Sequence, residues 1–488
     1  MTAVSSLGAS LMFAAVLAGA AATTGGTPAP ATAPTRTQPA DAAPIATSTP
    51  AERLQVYRDF RSLFDAQKFS DAIAPAEKLV AMTEEATTPN DPSLAAPLIN
   101  LGTTQYQTSD YAAAETNYLR AIKIIEQAQG GFATTLIPPL RGLGLTYLAA
   151  GQPQAAVEPL RRGVDIIRKV DGLFNENQLE LLDPLIRTYV QMNQNADAER
   201  EAIYSYRVSE NRFGRNSVEV VPALEKLARW YSDIGRNTTA RQYFARAFGI
   251  LQKSLPATDA RKIAPLRGIA DTYRLEYIYG PELSGEQQIP TGAGSSALGA
   301  SVGTAPQPQE YNPTGMKLDP AGEAALRSAL AIAEAARPNI DEAQHADILI
   351  DLGDWLLLDG DKQAAMDSYR QAWPHLKDLE APQNAALAEP SQIIYRPPLT
   401  AYRSQRAKPE NIVEGYVDVE FTVNADGRVS DEHTVEKSAS DTQERAVLNA
   451  IKKARYRPRF EQGEAVVTKA VRYRQLVYSV KASSKTKN

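Results

Sequence analysis

The chain of 488 residues has no cysteine. That excludes disulfide frameworks, thiol catalysis, thiolate metal sites and a lipid anchor on an N-terminal cysteine. Histidine is nearly absent too. His345, His375 and His433 are isolated in the sequence, none with a partner at helical ligand spacing, and no metal site is expected from them. Long apolar runs are lacking. The one candidate, residues 7–22 (LGASLMFAAVLAGAAA), is short of the roughly 20 residues that span a bilayer. Strong net charge is also missing: −5 over the chain does not point to a nucleic-acid partner or to a membrane-coating protein. No P-loop or zinc signature is present, and the one G-x-S-x-G match, at residues 299–303, lies in a Gly/Ser/Pro/Gln-rich stretch rather than between a strand and a helix. The adjacent carboxylates Glu84-Glu85 and Asp431-Glu432 have no acid–base partner, and Ser217 and Ser440 have no triad pattern. No catalytic residue, no cofactor and no enzymatic activity are expected.

What is present is a period. Leu101-Gly102 and Leu143-Gly144 stand 42 residues apart, and the same step reaches Ile186, Ala228, Ala270 and, backward, Phe60. Ala72, Ala114, Ala156, Ala198 and Ala240 repeat at that step. Pro-Leu recurs in one register at Pro97-Leu98, Pro139-Leu140 and Pro265-Leu266, where proline suits the first turn of a helix. Small residues let two helices approach, and large ones fill the space beside them. One such helical hairpin cannot bury its apolar face alone, so copies stack on a shared core.

The order Leu143, Gly144, Tyr147, Gly151, Ala156, Leu160 and Gly163 resembles the tetratricopeptide repeat. The usual period of that family is about 34 residues. A 42-residue step therefore implies each helix extended by about a turn. The resemblance also implies that the residue after the small column faces a groove: Thr103, Leu145, Arg187, Arg229 and Asp271. Arg187 and Arg229, in consecutive units, are candidates to hold a carboxylate-bearing peptide. The other reading pairs them with Asp183 and Glu225 in ion pairs between repeats.

The chain then reads in order. Residues 1–22 are expected to be a secretory signal peptide, the alternative being an uncleaved anchor. Residues 23–50, rich in Ala, Thr and Pro, form a disordered tether. The repeat array covers 51–280 and resumes over 321–380, interrupted by a Gly/Ser/Pro/Gln-rich insertion at 281–320. About seven hairpins are expected, the sixth split by the insertion. A linker over 381–392 leads to an end domain at 393–480 and a basic tail at 481–488. From residue 391 onward there are 18 Lys+Arg against 12 Asp+Glu, leaving 34 against 45 in the remainder: an acidic array with a basic end.

In the end domain the period falls from 3.6 to 2. Val417, Val419, Phe421 and Val423 alternate with Tyr416, Asp418, Glu420 and Thr422. Asn424-Ala425-Asp426-Gly427 is a hairpin turn, and Ser440-x-x-Gln443 caps a helix with Ala446, Val447, Ala450, Ile451 and Ala454 on its buried face. A long strand is expected over 466–480. This succession, with Gly415, Arg428-Val429, Val435, Ser438, Arg455, Tyr456, Pro458, Phe460, Gly463 and Val466, resembles the C-terminal domain of the TonB energy-transducer family. It departs at Tyr395-Arg396-Pro397, where the family more often has Tyr-Pro.

The expected fold class is therefore multi-domain: an all-α tetratricopeptide-type solenoid, then a small α+β domain like the TonB C-terminus. The resemblance implies that the last strand lies at a sheet edge and receives an extended segment of a protein partner such as an outer-membrane transporter. Val466, Thr468, Lys469, Val471, Arg472, Arg474 and Leu476 are the candidate contacts. Lys469, Arg472 and Arg474 either attract an acidic segment or guard the edge against aggregation. The expected function is a periplasmic adaptor, the repeats holding one protein and the end domain another. The alternative is an atypical energy transducer for transmembrane transport, anchored in the inner membrane by its N-terminal helix. Only in that alternative is membrane contact implied.

Overall fold

The computed structural model describes residues 48–280, 317–338, 340–376, 386–401 and 411–480. The expected signal peptide, nearly all of the tether, most of the insertion and the basic tail lie outside the described residues. The chain divides into two compact units, residues 1–208 and 209–488.

The first unit is built from helical hairpins: α1 (Pro50–Asp65) with α2 (Phe69–Ala86), α3 (Ala95–Gln107) with α4 (Tyr111–Gln129), and α5 (Ile137–Ala149) with α6 (Pro153–Val170). Next come α7 (Leu179–Gln191) and the first part of α8 (Asn195–Phe213), within which the unit boundary falls. The second unit continues with α9 (Val221–Asp233) and α10 (Asn237–Ser254), then α11 (Ile263–Tyr279) against α12 (Pro320–Ala335). The last hairpin is α13 (Glu342–Asp359) with α14 (Lys362–Leu376). The helices α11 and α12 pack as a pair although residues 281–316 separate them in sequence.

The leading helices begin at Ala95, Ile137, Leu179, Val221 and Ile263, each 42 residues after the last. The extra length over a standard repeat is not shared evenly between the two helices, contrary to the expectation of about a turn on each. From α3 to α9 each leading helix has 13 residues, preceded by a three-residue 3-10 turn, whereas trailing helices have 18 or 19. Asp91, Asn175 and Asp259, in one register, each accept the backbone N–H two residues on and set that turn. The hairpin turns need a left-handed residue at one register, Gln67, Ser109, Gly151, Asn193 and Gly235, with φ of 58, 65, 73, 57 and 77°. Glycine meets that demand without strain at two of the five.

Ala72, Ala114, Ala156, Ala198 and Ala240 all have zero exposure. A Cβ on Gly144 would lie 2.5 Å from Leu160 Cγ, so α5 and α6 touch where only glycine fits. A polar clasp repeats as well. Arg162 binds Glu126 at 2.5 Å and the Gly131 carbonyl at 3.2 Å. One step back, Arg120 binds Glu84 and the Pro89 carbonyl. Arg246, two steps on, binds Glu210 at 3.1 Å and the Arg215 carbonyl at 2.9 Å. In the step between, Tyr204 takes the arginine's place and donates to the Leu173 carbonyl.

The terminal domain comprises β1 (Ser391–Ile394), β2 (Ile412–Val423), β3 (Val429–Lys437), α15 (Asp441–Lys453), β4 (Arg455–Arg457), β5 (Arg459–Glu461), β6 (Glu464–Val466) and β7 (Thr468–Val480). Antiparallel pairing joins β3–β2–β7, β1–β4 and β5–β6. Val417, Val419, Phe421, Val423 and Val477 pack with Val447 and Ile451 of α15 in one core. Burial of each such side chain stabilises by about 1.5–3 kcal/mol. Ser391 and Gln392, expected in a linker, open β1 opposite Arg457 and Tyr456. Gly427 turns the β2–β3 hairpin at φ 78°, and a Cβ there would meet the Tyr456 carbonyl oxygen at 2.3 Å.

Candidate protein-binding surfaces

The strand β7 pairs with β2 from Val480 opposite Ile412 to Thr468 opposite Val423. Among the described residues no strand pairs with its other side; the 3-10 turn Leu399–Ala401 packs near it. The outer row of β7 backbone groups thus pairs with no described strand, although the Leu476 and Tyr478 carbonyls accept from the Gln475 and Gln443 side chains. The expected edge needs two corrections. Val466 is not on it: it belongs to β6, opposite Arg459, and β7 begins at Thr468. Lys469 sits in a bulge. Phe421 faces Val471 and Val423 faces Thr468, so β7 carries an extra residue there, and Ala470 has φ 57°. A bulge bends a strand and interrupts its ladder, which leaves the regular edge at 471–480.

The edge cations are already engaged. Arg474 makes two hydrogen bonds of 2.6 Å to Asp418, and Arg472 bonds Glu420 at 3.0 Å. These are cross-strand pairs on the exposed face of β2–β7. The hydrogen bonds of Arg474 hold the Asp418 carboxyl below its ordinary range. Arg474 also lies 4.4 Å over the Tyr416 ring. Leu476 is exposed, whereas Val471 is half-buried. An incoming strand thus meets backbone, Leu476 and neutralised arginines rather than a bare positive row.

The groove positions divide. Thr103 is 3% exposed, its hydroxyl 3.0 Å from the Tyr118 hydroxyl, and Leu145 is buried. These two positions do not face a groove: a threonine satisfied by a buried tyrosine and a leucine are more stable inside. Arg187, in the first unit, is exposed on α7. Arg229, in the second, is exposed on α9 and lies 3.7 Å from Glu225, one turn away on the same helix. That pair is intrahelical rather than between repeats. Burial raises the Glu225 carboxyl above its ordinary value, with Arg229 acting against that. A surface groove of about 670 Å³ does lie elsewhere in the first unit, lined by Phe132, Val157, Arg161, Arg162 and Asp165. Phe132 is 55% exposed, with the Lys169 ammonium 3.3 Å from its ring centroid.

The terminal domain is fastened to the last hairpin by buried charge. Arg457 donates to both oxygens of Asp354 at 2.9 and 2.6 Å and to the Ala386 carbonyl at 2.9 Å. Tyr369 donates to Asp354 at 2.8 Å. Asp354 is 5% and Tyr369 0% exposed. Burial opposes the charge on Arg457, but the Asp354 carboxylate more than offsets it and holds the guanidinium protonated above its usual range. Burial, then Asp354, push the Tyr369 phenol well above its ordinary value. Around this core, Lys362 meets Asp426 at 2.9 Å, Arg370 meets Glu464 at 3.1 Å, and Phe460 packs edge-on against Tyr369. The unexpected Arg396 reaches the Tyr277 carbonyl at 3.1 Å, at the C-terminal end of α11, where a cation is favoured. Sequence reasoning missed Asp354 and Arg457. The signal was faint: an arginine in the variable place of Arg455-Tyr456-Arg457-Pro458.

It also missed a convergence of histidines. His345 on α13 and His375 on α14 have ring centroids 4.5 Å apart, with Glu342 hydrogen-bonded to His375. Burial, then the nearby His375 and Arg337, lower the His345 pKa, and the hydrogen bond from His375 lowers that of Glu342. The available signal was Glu342-x-x-His345, one helical face; His375 joins only through tertiary pairing.

Comparisons with known proteins agree with this division. Residues 93–169 match the tetratricopeptide repeat family, and residues 404–474 match the Gram-negative bacterial TonB protein C-terminal family. No curated protein matches the chain. Similar solved structures include TPR-like repeats of a Podosopora anserina kinesin light chain: 19% identity, 42% of this chain and 98% of that one, TM-score 0.38. Another is the C-terminal part of a TPR repeat-containing protein from Cytophaga hutchinsonii: 12% identity, 68% and 97%, TM-score 0.39. A third is aspartyl phosphate phosphatase F from Bacillus subtilis: 13% identity, 68% and 73%, TM-score 0.34. At such identities and scores these likenesses carry no functional conclusion. The chain joins a tetratricopeptide-like helical solenoid, whose repeats suggest protein–protein interaction, to a small C-terminal domain that matches the TonB C-terminal family model over residues 404–474.

Proposed function

We propose that the protein is a non-enzymatic periplasmic adaptor whose repeats hold one protein while β7 captures an extended segment of another, such as an outer-membrane transporter. The observation that carries this reading is the geometry of β7: a 13-residue strand paired with β2 on one side and, among the described residues, with no strand on the other. Backbone pairing supplies affinity with little demand on the partner's sequence, and Leu476 supplies an apolar contact. The Ala-rich run at 7–22 supports export across the inner membrane. Among the described residues no helix is long and apolar enough to cross a membrane.

Deleting the terminal domain is a poor test, because it would strip Asp354 of its arginine and expose the core that Phe460 shares with α14. A photo-reactive amino acid at Leu476 on β7, with Val435 on the opposite edge strand β3 as control, leaves that core intact. Irradiation in the living envelope is expected to link a protein through position 476 and not through 435. Equal yields at both positions, or none at 476, overturn strand capture. Fractionation with N-terminal sequencing tests the location. A soluble mature chain beginning near Thr23 agrees with the adaptor, and a membrane-retained chain with intact N-terminus favours the anchored transducer.

A further inference from the structure

Three lone-pair donors from two helices converge beside the start of α13. Glu342 and His345 lie one turn apart on that helix, and His375 lies in the last turn of α14. Each offers one ligand atom within 4.8 Å of the others. The point they surround holds a positive charge. One guanidinium nitrogen of Arg337 is 3.2 Å from His345 Nδ1, 3.4 Å from His375 Nε2 and 3.5 Å from Glu342 Oε2, while His375 Nδ1 donates to Glu342. Arginine is donor only, so neutral His345 must accept at Nδ1 and carry its proton on Nε2. That Nε2 is buried and has no hydrogen-bond partner, on a residue 5% exposed. Two imidazoles and a carboxylate held around a cation are thus in place before any metal arrives.

We propose that Glu342, His345 and His375 form a binding site for a divalent transition ion of the zinc class, entered by displacement of the Arg337 guanidinium. Two His nitrogens and one carboxylate oxygen suit Zn²⁺, with water at the fourth position. The ligand atoms must close from within 4.8 Å to about 3.3 Å, the separation set by metal–ligand bonds of about 2.0–2.1 Å in a tetrahedron. His375 sits on a helix end and Glu342 in a first turn, so a rotamer change and a small shift suffice. The side chains of Arg337 and Glu342 are 44% and 53% exposed, so the arginine can swing outward and the ion enter from solvent. Bound metal would clip the start of α13 to the end of α14, the helix that carries Tyr369 and Arg370.

The test uses the full chain, freed of metal by chelation and without a polyhistidine tag. Zn²⁺ titration by calorimetry and Co²⁺ titration by visible absorption are applied to wild type, His375→Gln, Glu342→Gln and Arg337→Gln. The wild type is expected to bind one equivalent of Zn²⁺ and to show tetrahedral Co²⁺ absorption. Both responses should weaken at least tenfold in His375→Gln and Glu342→Gln, and affinity should rise in Arg337→Gln because the competing cation is gone. Zn²⁺ should raise the melting temperature of wild type and not of His375→Gln. No saturable binding in either wild type or Arg337→Gln overturns the site, as does binding unaffected by His375→Gln. Circular dichroism of each variant separates lost ligation from lost fold.

Discussion

The repeat array and the terminal domain solve the problem of burial in opposite ways. In the array the main contacts recur: a zero-exposure alanine at successive 42-residue steps, a left-handed turn residue, and a clasp to the preceding hairpin made by arginine or, once, by Tyr204. No contact is individually decisive, because within each unit neighbouring hairpins touch and the stability is a sum of similar terms. In the terminal domain each contact occurs once and spans long stretches of chain. Tyr395 on one side bonds Gln475 at 2.7 Å, and Arg457 reaches back 103 residues to Asp354. The lesson is that damage should spread differently. A fault in the array is local and modest, whereas a fault at the Arg457–Asp354 junction is severe.

Arg457→Met is the change expected to cost most. It leaves the Asp354 carboxylate buried without its cation, a loss of about 3–5 kcal/mol. Denaturant unfolding should show it, and hydrogen exchange should place the loosening in α13 and the terminal domain. The double change Arg457→Met with Asp354→Leu should recover much of the loss, since removing both partners spares the desolvation penalty. No recovery would mean that the junction acts by shape rather than by charge.

Gly144→Leu attacks the array where two helices meet. A Cβ there already overlaps Leu160, so the hairpin must spread, at a cost of about 1–3 kcal/mol. Exchange should rise in α5 and α6 and hardly at all in α1 and α2. A uniform rise through the first unit would contradict the local character claimed for the array.

Ser109→Gly should give the smallest effect, with opposite sign. Ser109 occupies the left-handed register that Gly151 and Gly235 fill in other hairpins. Glycine there relieves strain of about 1 kcal/mol, raising the unfolding midpoint slightly. The same change at a helical serine such as Ser328 should lower it.

The two regions were also unequally legible. The array could be read from its period, because small residues at close helix contacts leave few alternatives: Gly102 faces the Tyr118 ring and Gly144 meets Leu160. The clasp stands at the same period, at Arg120, Arg162 and Arg246, yet charged residues on a helix look like solvated surface until a carbonyl is found beside them. In the terminal domain the alternation Val417, Val419, Phe421 and Val423 pointed directly to the buried face of β2. The Ala470 bulge was not readable, because its left-handed backbone is imposed by pairing with β2 and alanine gives no hint of it. His375 and Asp354 gained their roles only from tertiary contacts more than 15 residues away in sequence, to Glu342 and to Arg457.

The most direct test of β7 as a capturing strand is a register walk. A photo-reactive residue is moved one position at a time from 471 to 480, and the linked residue of the partner is identified by mass spectrometry. If a segment adds to the open side of β7, the linked position advances residue for residue along a continuous stretch of the partner, in one direction. If every position links to the same patch, or to scattered ones, the partner is not held as a strand and the account of this domain is wrong.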